Sequence, residues 1–266
     1  MDRVRLVGVP VSRIASWLRS WLRPRPRVRA FDTPFPGEWE PIVARQPFVA
    51  RLPDRHQHGL RHILRVLVEE KRWEGCGGLT ITPEIQVVVA THAARLLLGL
   101  QHDYYRNVDT ILVYPSTFVN PGNAHGAGRS ANHGEAWHRG PVILAWDQVQ
   151  SGADDPGDGH NLVLHEFAHK LDFLDDFGNG TPPLETKDQY RTWQEIMKHE
   201  FAELREDLDD GRRTTIDAYG ATNPAEFFAV VTETFFEKPR QLRERHERLY
   251  ELLKDYYGQD PAAAFD

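Results

Sequence analysis

The feature that most constrains this chain is one pentad past its centre, His165-Glu166-Phe167-Ala168-His169. In a helix, its two histidines lie at i and i+4, on one face and one turn apart. That spacing lets two imidazoles share one zinc ion. The intervening glutamate then points about 100° away around the helix axis, where it can hold a water at the metal without ligating it. The pentad therefore predicts a helix that carries part of a zinc site.

The residues around the pentad favour the helix. Apolar side chains recur at i, i+3, i+4 and i+7, at Leu164, Phe167, Ala168 and Leu171. Either Asp158 or Asn161 can cap the helix start, and the glycines and prolines of 178–183 stop its continuation. The alternative interpretation is an amphipathic helix with two surface histidines and a solvated glutamate.

Length and composition are those of a globular chain with a substantial core. It has 266 residues, of which 40% are hydrophobic, enough for one large domain or two small ones. The single cysteine, Cys76, excludes an internal disulfide framework and favours a reducing compartment. No stretch has the apolar length of a bilayer span, and the first residues lack a signal-peptide pattern. The sequence therefore predicts a cytoplasmic protein.

The charge is unevenly distributed along the chain. Residues 1–30 hold eight arginines and one aspartate, a net charge of +7, whereas residues 31–266 carry a net charge of −14. An acidic body argues against nucleic acid as a partner.

We interpret residues 1–30 as a basic amphipathic extension that precedes a domain spanning 31–266. Apolar residues at helical spacing, flanked by arginines, predict a short helical face, at Ile14, Trp17, Leu18, Trp21 and Leu22. One interpretation is a helix that makes a weak membrane-surface contact or docks a partner. The other is a tail, or a helix packed on the body.

Hydrophobic periodicity predicts a mainly α-helical α+β domain with a small sheet beside the pentad helix. Helices are expected at 55–75, 84–101, about 188–208, from Pro224, and about 239–257, and strands at Thr110–Tyr114 and Val142–Trp146. The second strand directly precedes the pentad segment; it is an ordinary core strand, a strand that borders a substrate cleft, or both. The intervening polar loop contains His125, His133 and His138. They could reach a metal, but we interpret them as solvated.

A catalytic zinc needs a third protein ligand. Asp175 stands where extended H-E-x-x-H motifs place a third histidine, but Asp172 replaces the glycine that makes the chain reversal easy. Asp175 is therefore a weaker candidate. Asp172 itself can accept a hydrogen bond from a ligating imidazole, or can simply lie on the surface.

Two glutamates in the later apolar segment are stronger candidates, Glu226 and Glu233. A buried carboxylate without a partner is costly, and a zinc ion would supply that partner. Glu226 also fits a capping box with Asn223, while Glu233 can be exposed or can accept a hydrogen bond from a ligating histidine. Spacing alone leaves Glu226 only modestly ahead.

The runs 165–172 and 217–236 resemble the Mlc titration factor A family of bacterial zinc peptidases. Segments 140–146 and 111–115 fit the same family, so the resemblance covers about residues 35–260 and leaves 1–30 outside it. The spacing Tyr-x6-Glu-x-Phe-x-Ala, beginning at Tyr219, is also similar to one in the catalytic domain of anthrax lethal factor.

The resemblance implies a zincin-like fold of the gluzincin type, with one Zn²⁺ per chain and Glu226 as the third ligand beside His165 and His169. It also implies that Tyr219 is catalytic; a phenol O–H near the metal can donate to an oxyanion. Glu166 would then act as the general base.

The resemblance further implies aminopeptidase-like action on peptide or protein substrates and a regulatory contact with a transcriptional repressor of sugar uptake. The alternative is a repressor-sequestering protein with weak or incidental peptidase activity. The intact Glu166 argues for the enzyme, because sequestration alone does not need it.

Overall fold

The computed structural model describes residues 34–116 and 140–265. Helices dominate these ranges: α1 Glu40–Ala44, α2 Asp54–Glu70, α3 Pro83–Leu97, α4 Trp146–Asp154, α5 Leu162–Asp172, α6 Lys187–Asp209, α7 Pro224–Glu237, α8 Pro239–Arg245 and α9 Glu247–Tyr257. Three short strands accompany them: β1 Arg72–Gly75, β2 Thr110–Tyr114 and β3 Val142–Ala145. The predicted mainly helical fold with a small sheet is confirmed.

The three described strands form one parallel sheet in the order β1-β2-β3. Its register pairs Trp73 with Ile111 and Ile111 with Val142. The prediction for β2 is confirmed residue for residue. β1 was wrongly included in the helix predicted at 55–75. The helix ends before Lys71, whose backbone is extended. The ammonium group of Lys71 donates to Tyr105 O at 2.8 Å.

Three further sequence predictions need correction. β3 ends at Ala145, and α4 intervenes before the pentad helix, so the strand does not directly precede it. The helix predicted at about 239–257 is two helices, because His246 has non-helical angles (φ −135°, ψ 56°). The helix predicted at 84–101 ends at Leu97, just before Gly99 passes against the backbone of Tyr257.

The core is built around α7, in which every residue from Ala225 to Glu237 is buried. α5 packs along one side of it, and α3 packs against α5. On another side, the ring of Phe228 on α7 makes edge-to-face contacts with Trp193 of α6 and Tyr256 of α9. Because α7 has no solvent-facing side, any carboxylate on it must be satisfied inside the protein.

Some predictions fall outside the described residues. They concern the extension 1–30 and the loop histidines His125, His133 and His138. The boundary between 1–30 and 31–266 stays a prediction. In the described ranges, no helix has both the length and the apolar character that a membrane crossing requires.

The segment between α5 and α7 is pinned at Gly180, which has a positive φ of 78°. Its N–H donates to Asp172 Oδ2 at 2.8 Å, and its carbonyl accepts from Trp193 Nε1 at 2.9 Å. A Cβ at this position would lie 2.2 Å from the carbonyl oxygen of Pro224, the first residue of α7. Only glycine therefore lets the chain pass this close to the start of α7.

We expect Gly180→Ala to destabilise the protein by about 2 kcal/mol more than Gly211→Ala, because the first adds a backbone clash to the cost of positive φ. Gly211 is the matched control: its φ is 68°, and a Cβ there would meet nothing within 4 Å. Chemical denaturation of both variants measures the difference. Equal losses of stability would show that the close passage at Gly180 does not constrain α7.

Candidate metal centre

The pentad lies on α5, whose start is capped by Asn161. The Asn161 side-chain oxygen accepts from Leu164 N at 3.1 Å, while the Asp158 carboxylate instead accepts from His160 N. Of the two capping residues that the sequence offered, Asn161 is thus the one used. The cap places His165 and His169 one turn apart on the buried face of α5.

Glu226 reaches the same place from α7. Asn223 caps this helix by accepting from Glu226 N at 3.0 Å, and Pro224 occupies the first turn, as predicted. The carboxylate of Glu226 lies against the imidazoles of α5, with Oε2 at 3.0 Å from His165 Nε2. The cap therefore uses only the backbone N–H of Glu226, and the side chain of Glu226 contacts the histidines.

The three side chains present one potential ligand atom each to a common point. His165 Nε2 lies 3.3 Å from His169 Nε2, and Glu226 Oε2 lies 3.4 Å from His169 Nε2. Ligands that hold zinc tetrahedrally at about 2.0–2.1 Å are about 3.3–3.4 Å from one another. All three residues are buried. The donor set and its spacing therefore fit a zinc-sized cation.

The carboxylate of Glu226 and the imidazole of His165 shift each other's pKa. Burial lowers the pKa of His165, but hydrogen bonds to Glu226 and Glu233 outweigh it and raise that pKa to about 10. Burial raises the pKa of Glu226, yet the two imidazoles prevail and hold it below its usual range. The carboxylate and imidazoles thus compensate one another, and a bound cation would replace the imidazole proton.

Glu233, two turns after Glu226, orients His165 from behind. Its Oε1 lies 2.8 Å from His165 Nδ1, and its Oε2 accepts from Asn161 N at 2.5 Å. A hydrogen bond donated by Nδ1–H keeps the lone pair of Nε2 directed at the group. Glu233 is 4% exposed, which excludes the alternative of a solvent-facing residue.

Glu166 and Tyr219 lie beside the group rather than in it. Glu166 is half-buried; burial raises its pKa, and the charges of His165 and His169 oppose the rise. Tyr219 is in the 3₁₀ turn Ala218–Ala221, with its ring centroid 5.9 Å from that of His165. Asp217 fixes this turn by accepting from Tyr219 N at 2.8 Å.

The two aspartates weighed from the sequence lie elsewhere. Asp175 is in a 3₁₀ turn after α5, where its carboxylate accepts from Phe177 N at 3.2 Å, and it is not among the grouped ligand atoms. Asp172 is fully buried and accepts from Gly180 N. It therefore matches neither alternative, an imidazole acceptor or a surface residue. Burial raises its pKa to about 6, against the Gly180 hydrogen bond.

The sequence did not predict a chain of buried hydrogen bonds that runs from Asn161 through His92 to Gln46. The Asn161 side-chain N–H donates to His92 Nδ1 at 3.1 Å, and His92 Nε2 donates to Gln46 Oε1 at 3.0 Å. Burial, aided by the nearby Arg95, lowers the pKa of His92 to about 3, so this imidazole is neutral. The available signal was a histidine within the apolar face of a predicted helix, since a buried polar group needs a partner.

A second group of potential ligand atoms comprises Glu200, Glu203 and His246. His246 Nδ1 lies 2.7 Å from Glu200 Oε2, and Glu203 is exposed. Because His246 sits at the junction of α8 and α9, its bond to α6 accounts for this arrangement as a structural contact.

Comparison with known proteins assigns the family. The model of the glucose-regulated metallopeptidase M90 family matches residues 18–258. The chain belongs to this family. An uncharacterized protein of Synechocystis sp. is 39% identical over 249 residues, which cover 91% of this chain and 90% of the relative.

The resemblance to Mlc titration factor A is confirmed. Proteins of that name from Yersinia pestis and Yersinia pseudotuberculosis are each 33% identical over 227 residues, which cover 82% of this chain and 83% of the relative. The M90 family is one of metallopeptidases, so a metal site is expected, and the group of His165, His169 and Glu226 has the donors for it. The gluzincin type stays a prediction.

We expect Glu233→Gln to weaken metal affinity about 10–100-fold without emptying the site, because it loosens the orientation of His165. The matched control is Glu200→Gln, which alters another buried glutamate bonded to a histidine, His246. Competition with a chromogenic chelator measures both affinities. Equal affinities in Glu233→Gln and the wild type would exclude the orienting role.

Proposed function

We propose that this chain is a zinc-dependent peptidase whose Zn²⁺, one per chain, is held by His165, His169 and Glu226. The supporting observation is that these three ligand atoms lie 3.0–3.4 Å from one another. Two imidazoles and one carboxylate, with no fourth ligand atom grouped with them in the ranges that the structure describes, are a donor set typical of catalytic zinc. A structural zinc site would instead close with a fourth protein ligand.

In this proposal, each residue near the zinc has one task. Zinc, when bound, polarises the scissile carbonyl and makes a nearby water more acidic. Glu166 accepts a proton from that water and delivers it to the departing amine. Tyr219 donates its phenol O–H to the oxyanion that develops on the carbonyl oxygen. Its position beside the His165 ring, on a turn fixed by Asp217, supports that role.

We expect Glu226→Gln to lose most of its bound zinc, because an amide is a poorer and uncharged ligand. Asp175→Asn is the comparison, since that carboxylate lies outside the group. Elemental analysis of purified protein, with circular dichroism to check folding, gives the result. Stoichiometric zinc in Glu226→Gln together with loss in Asp175→Asn would reassign the third ligand.

We expect Glu166→Gln to retain zinc and to lose hydrolysis by several orders of magnitude, because it removes the proton acceptor. Tyr219→Phe should lose about two to three orders in kcat, as expected for one oxyanion donor. Tyr190→Phe serves as the control, since the Tyr190 hydroxyl accepts a hydrogen bond from the backbone N–H of Leu184. Steady-state kinetics on a peptide anilide compare the three; unchanged turnover in Glu166→Gln would exclude the general-base role.

We propose that the specificity is aminopeptidase-like. The support is the resemblance to the Mlc titration factor A family. In addition, β3 is an outer strand of the described sheet and packs against α5, so a substrate backbone can align along its edge.

An enzyme that recognises a free amino terminus should cleave an unblocked dipeptide anilide at least about 100-fold faster than its N-acetyl derivative, the loss expected when a buried charged contact goes unmade. Chromogenic release from the matched pair measures the ratio. Equal rates would indicate an endopeptidase instead.

A second candidate function is binding of a transcriptional repressor, with peptidase activity weak or incidental. The observation in its favour is the name of the Yersinia relatives, which describes titration of Mlc. Glu166→Gln separates the two functions. The binding function would be favoured by two results together. The variant would still bind the repressor, and the wild type would hydrolyse peptides barely above background.

We also propose a cytoplasmic location, supported by the single cysteine, and a weak contact of residues 1–30 with anionic membrane surfaces, supported by their net charge of +7. Deletion of residues 1–30 should then abolish salt-sensitive liposome binding and leave zinc content unchanged. Loss of zinc in the truncated protein would place the segment within the catalytic domain.

A further inference from the structure

A cavity of about 450 Å³ opens between the turn before α2, the end of α7 and the C-terminal 3₁₀ turn Pro261–Phe265. None of the described residues that line it belongs to the metal group. Its apolar wall is formed by Phe48, Leu52, Phe236 and Phe265. Its volume lies within the range of small-molecule sites in proteins, about 300–1,000 Å³.

The inner wall of this cavity contains a buried ion pair, Arg95 and Glu237. Their side chains are 8% and 0% exposed, and Arg95 NH1 donates to Glu237 Oε1 at 3.5 Å. The Arg95 guanidinium also lies 4.1 Å from the ring centroid of Phe48 and 4.8 Å from that of Phe236. Glu237 Oε2 is buried and has no hydrogen-bond partner among the described residues. An unmade hydrogen bond at a buried carboxyl is costly.

Burial raises the pKa of Glu237 to about 8, against the pull of Arg95. The carboxyl group therefore holds its proton more firmly than an exposed one does, and Oε2 can be a hydrogen-bond donor when protonated or an acceptor when ionised. A hydroxyl group satisfies either state, because it both donates and accepts.

The outer wall is cationic. Arg51 lies with its guanidinium 4.7 Å from the Phe265 ring centroid, and neither Arg51 nor Arg55 has an ion-pair partner in the described ranges. Lys254 is paired with Asp260 at 3.3 Å, and Asp255 is the remaining acid. The charged residues of the wall sum to +1 with Glu237 ionised and to +2 with Glu237 protonated, on a body that is otherwise acidic. An anion complements this wall better than a cation does.

We propose that this cavity binds a small organic carboxylate that also carries a hydroxyl group. The carboxylate faces Arg51 and Arg55 at the mouth, and the apolar body packs between the phenylalanines. The hydroxyl group lies against the inner wall, where it meets Glu237 Oε2 once that buried side chain turns toward the cavity. Bidentate pairing with arginine suits a carboxylate, and a monoanion matches the small positive charge of the wall.

The cavity is connected to the metal group by buried polar contacts. Asn161 Nδ2 lies 3.4 Å from Glu237 Oε1, and Asn161 N donates to Glu233, which in turn orients His165. Occupancy should therefore change kcat more than KM, an expectation that rests on the proposed peptidase function.

Isothermal titration of the zinc-loaded full chain with 3-(4-hydroxyphenyl)propionate tests the site. Two analogues serve as controls: its amide, which lacks the charge, and 3-phenylpropionate, which lacks the hydroxyl group. We expect each to bind at least about tenfold more weakly, as for one lost charge-assisted or buried hydrogen bond. An amide that binds as tightly as the acid would overturn the proposal.

Variants locate the binding. The double variant Arg51→Gln, Arg55→Gln should weaken it at least about fivefold, and Ala264→Trp, an exposed position on the rim, should block it. The control double variant Arg191→Gln, Arg213→Gln changes exposed arginines outside the cavity and should bind as the wild type does. Equal affinity in all these proteins would mean that the carboxylate binds elsewhere, for instance at the zinc, and would overturn the proposal.

The link to catalysis is tested separately, by hydrolysis with and without the carboxylate in wild type and in Ala264→Trp. We expect kcat to change only in the wild type. Binding without any change in kcat would overturn the link and leave the site in place, whereas a chain without hydrolysis under either condition would contradict the proposed function rather than the cavity.

Discussion

The packing of α7 against α5 is the constraint on which the rest of the structure depends. α7 is buried along its length, yet it carries carboxylates at Glu226, Glu233 and Glu237. Each must find a partner inside the protein, because an unpaired buried charge is strongly unfavourable. The imidazoles of His165 and His169 are the partners of the first, Glu226, and His165 is also the partner of the second, Glu233. The third pairs with Arg95 of α3. The first two are held by α5, and this pairing assembles a set of metal donors.

Helix caps and one close backbone passage define the positions of the site residues further. Asn161 and Asn223 cap the two helices, so the backbones that carry the ligands begin at fixed points. Gly180 lets the connection pass close to the start of α7 and ties it to Asp172 at the end of α5. Preorganised ligands lower the cost of holding a cation in one geometry. The catalytic candidates Glu166 and Tyr219 lie beside this group and are not among its potential metal ligands.

Features with a local cause could be predicted from the sequence. The i, i+4 histidines, the Asn223-Pro224 cap and the strand Thr110–Tyr114 each follow from short-range spacing or turn chemistry. β1 and the break at His246 could not, because both depend on contacts with residues far along the chain. Spacing left Glu226 and Glu233 nearly equal, since both occupy one apolar helix. The resemblance favoured Glu226, and only the fold shows Glu233 behind the imidazole rather than beside it. Asp172 was misjudged because its partner, Gly180, lies in an irregular segment.

The central claim is that α5 and α7 together hold one zinc ion. An anomalous-difference map, collected at the zinc edge from crystals of the zinc-loaded protein, tests it most directly. We expect a single strong peak about 2.0–2.2 Å from His165 Nε2, His169 Nε2 and Glu226 Oε2. A peak between Glu200 and His246, or one ligated by Glu233 or Asp175 in place of Glu226, would contradict it.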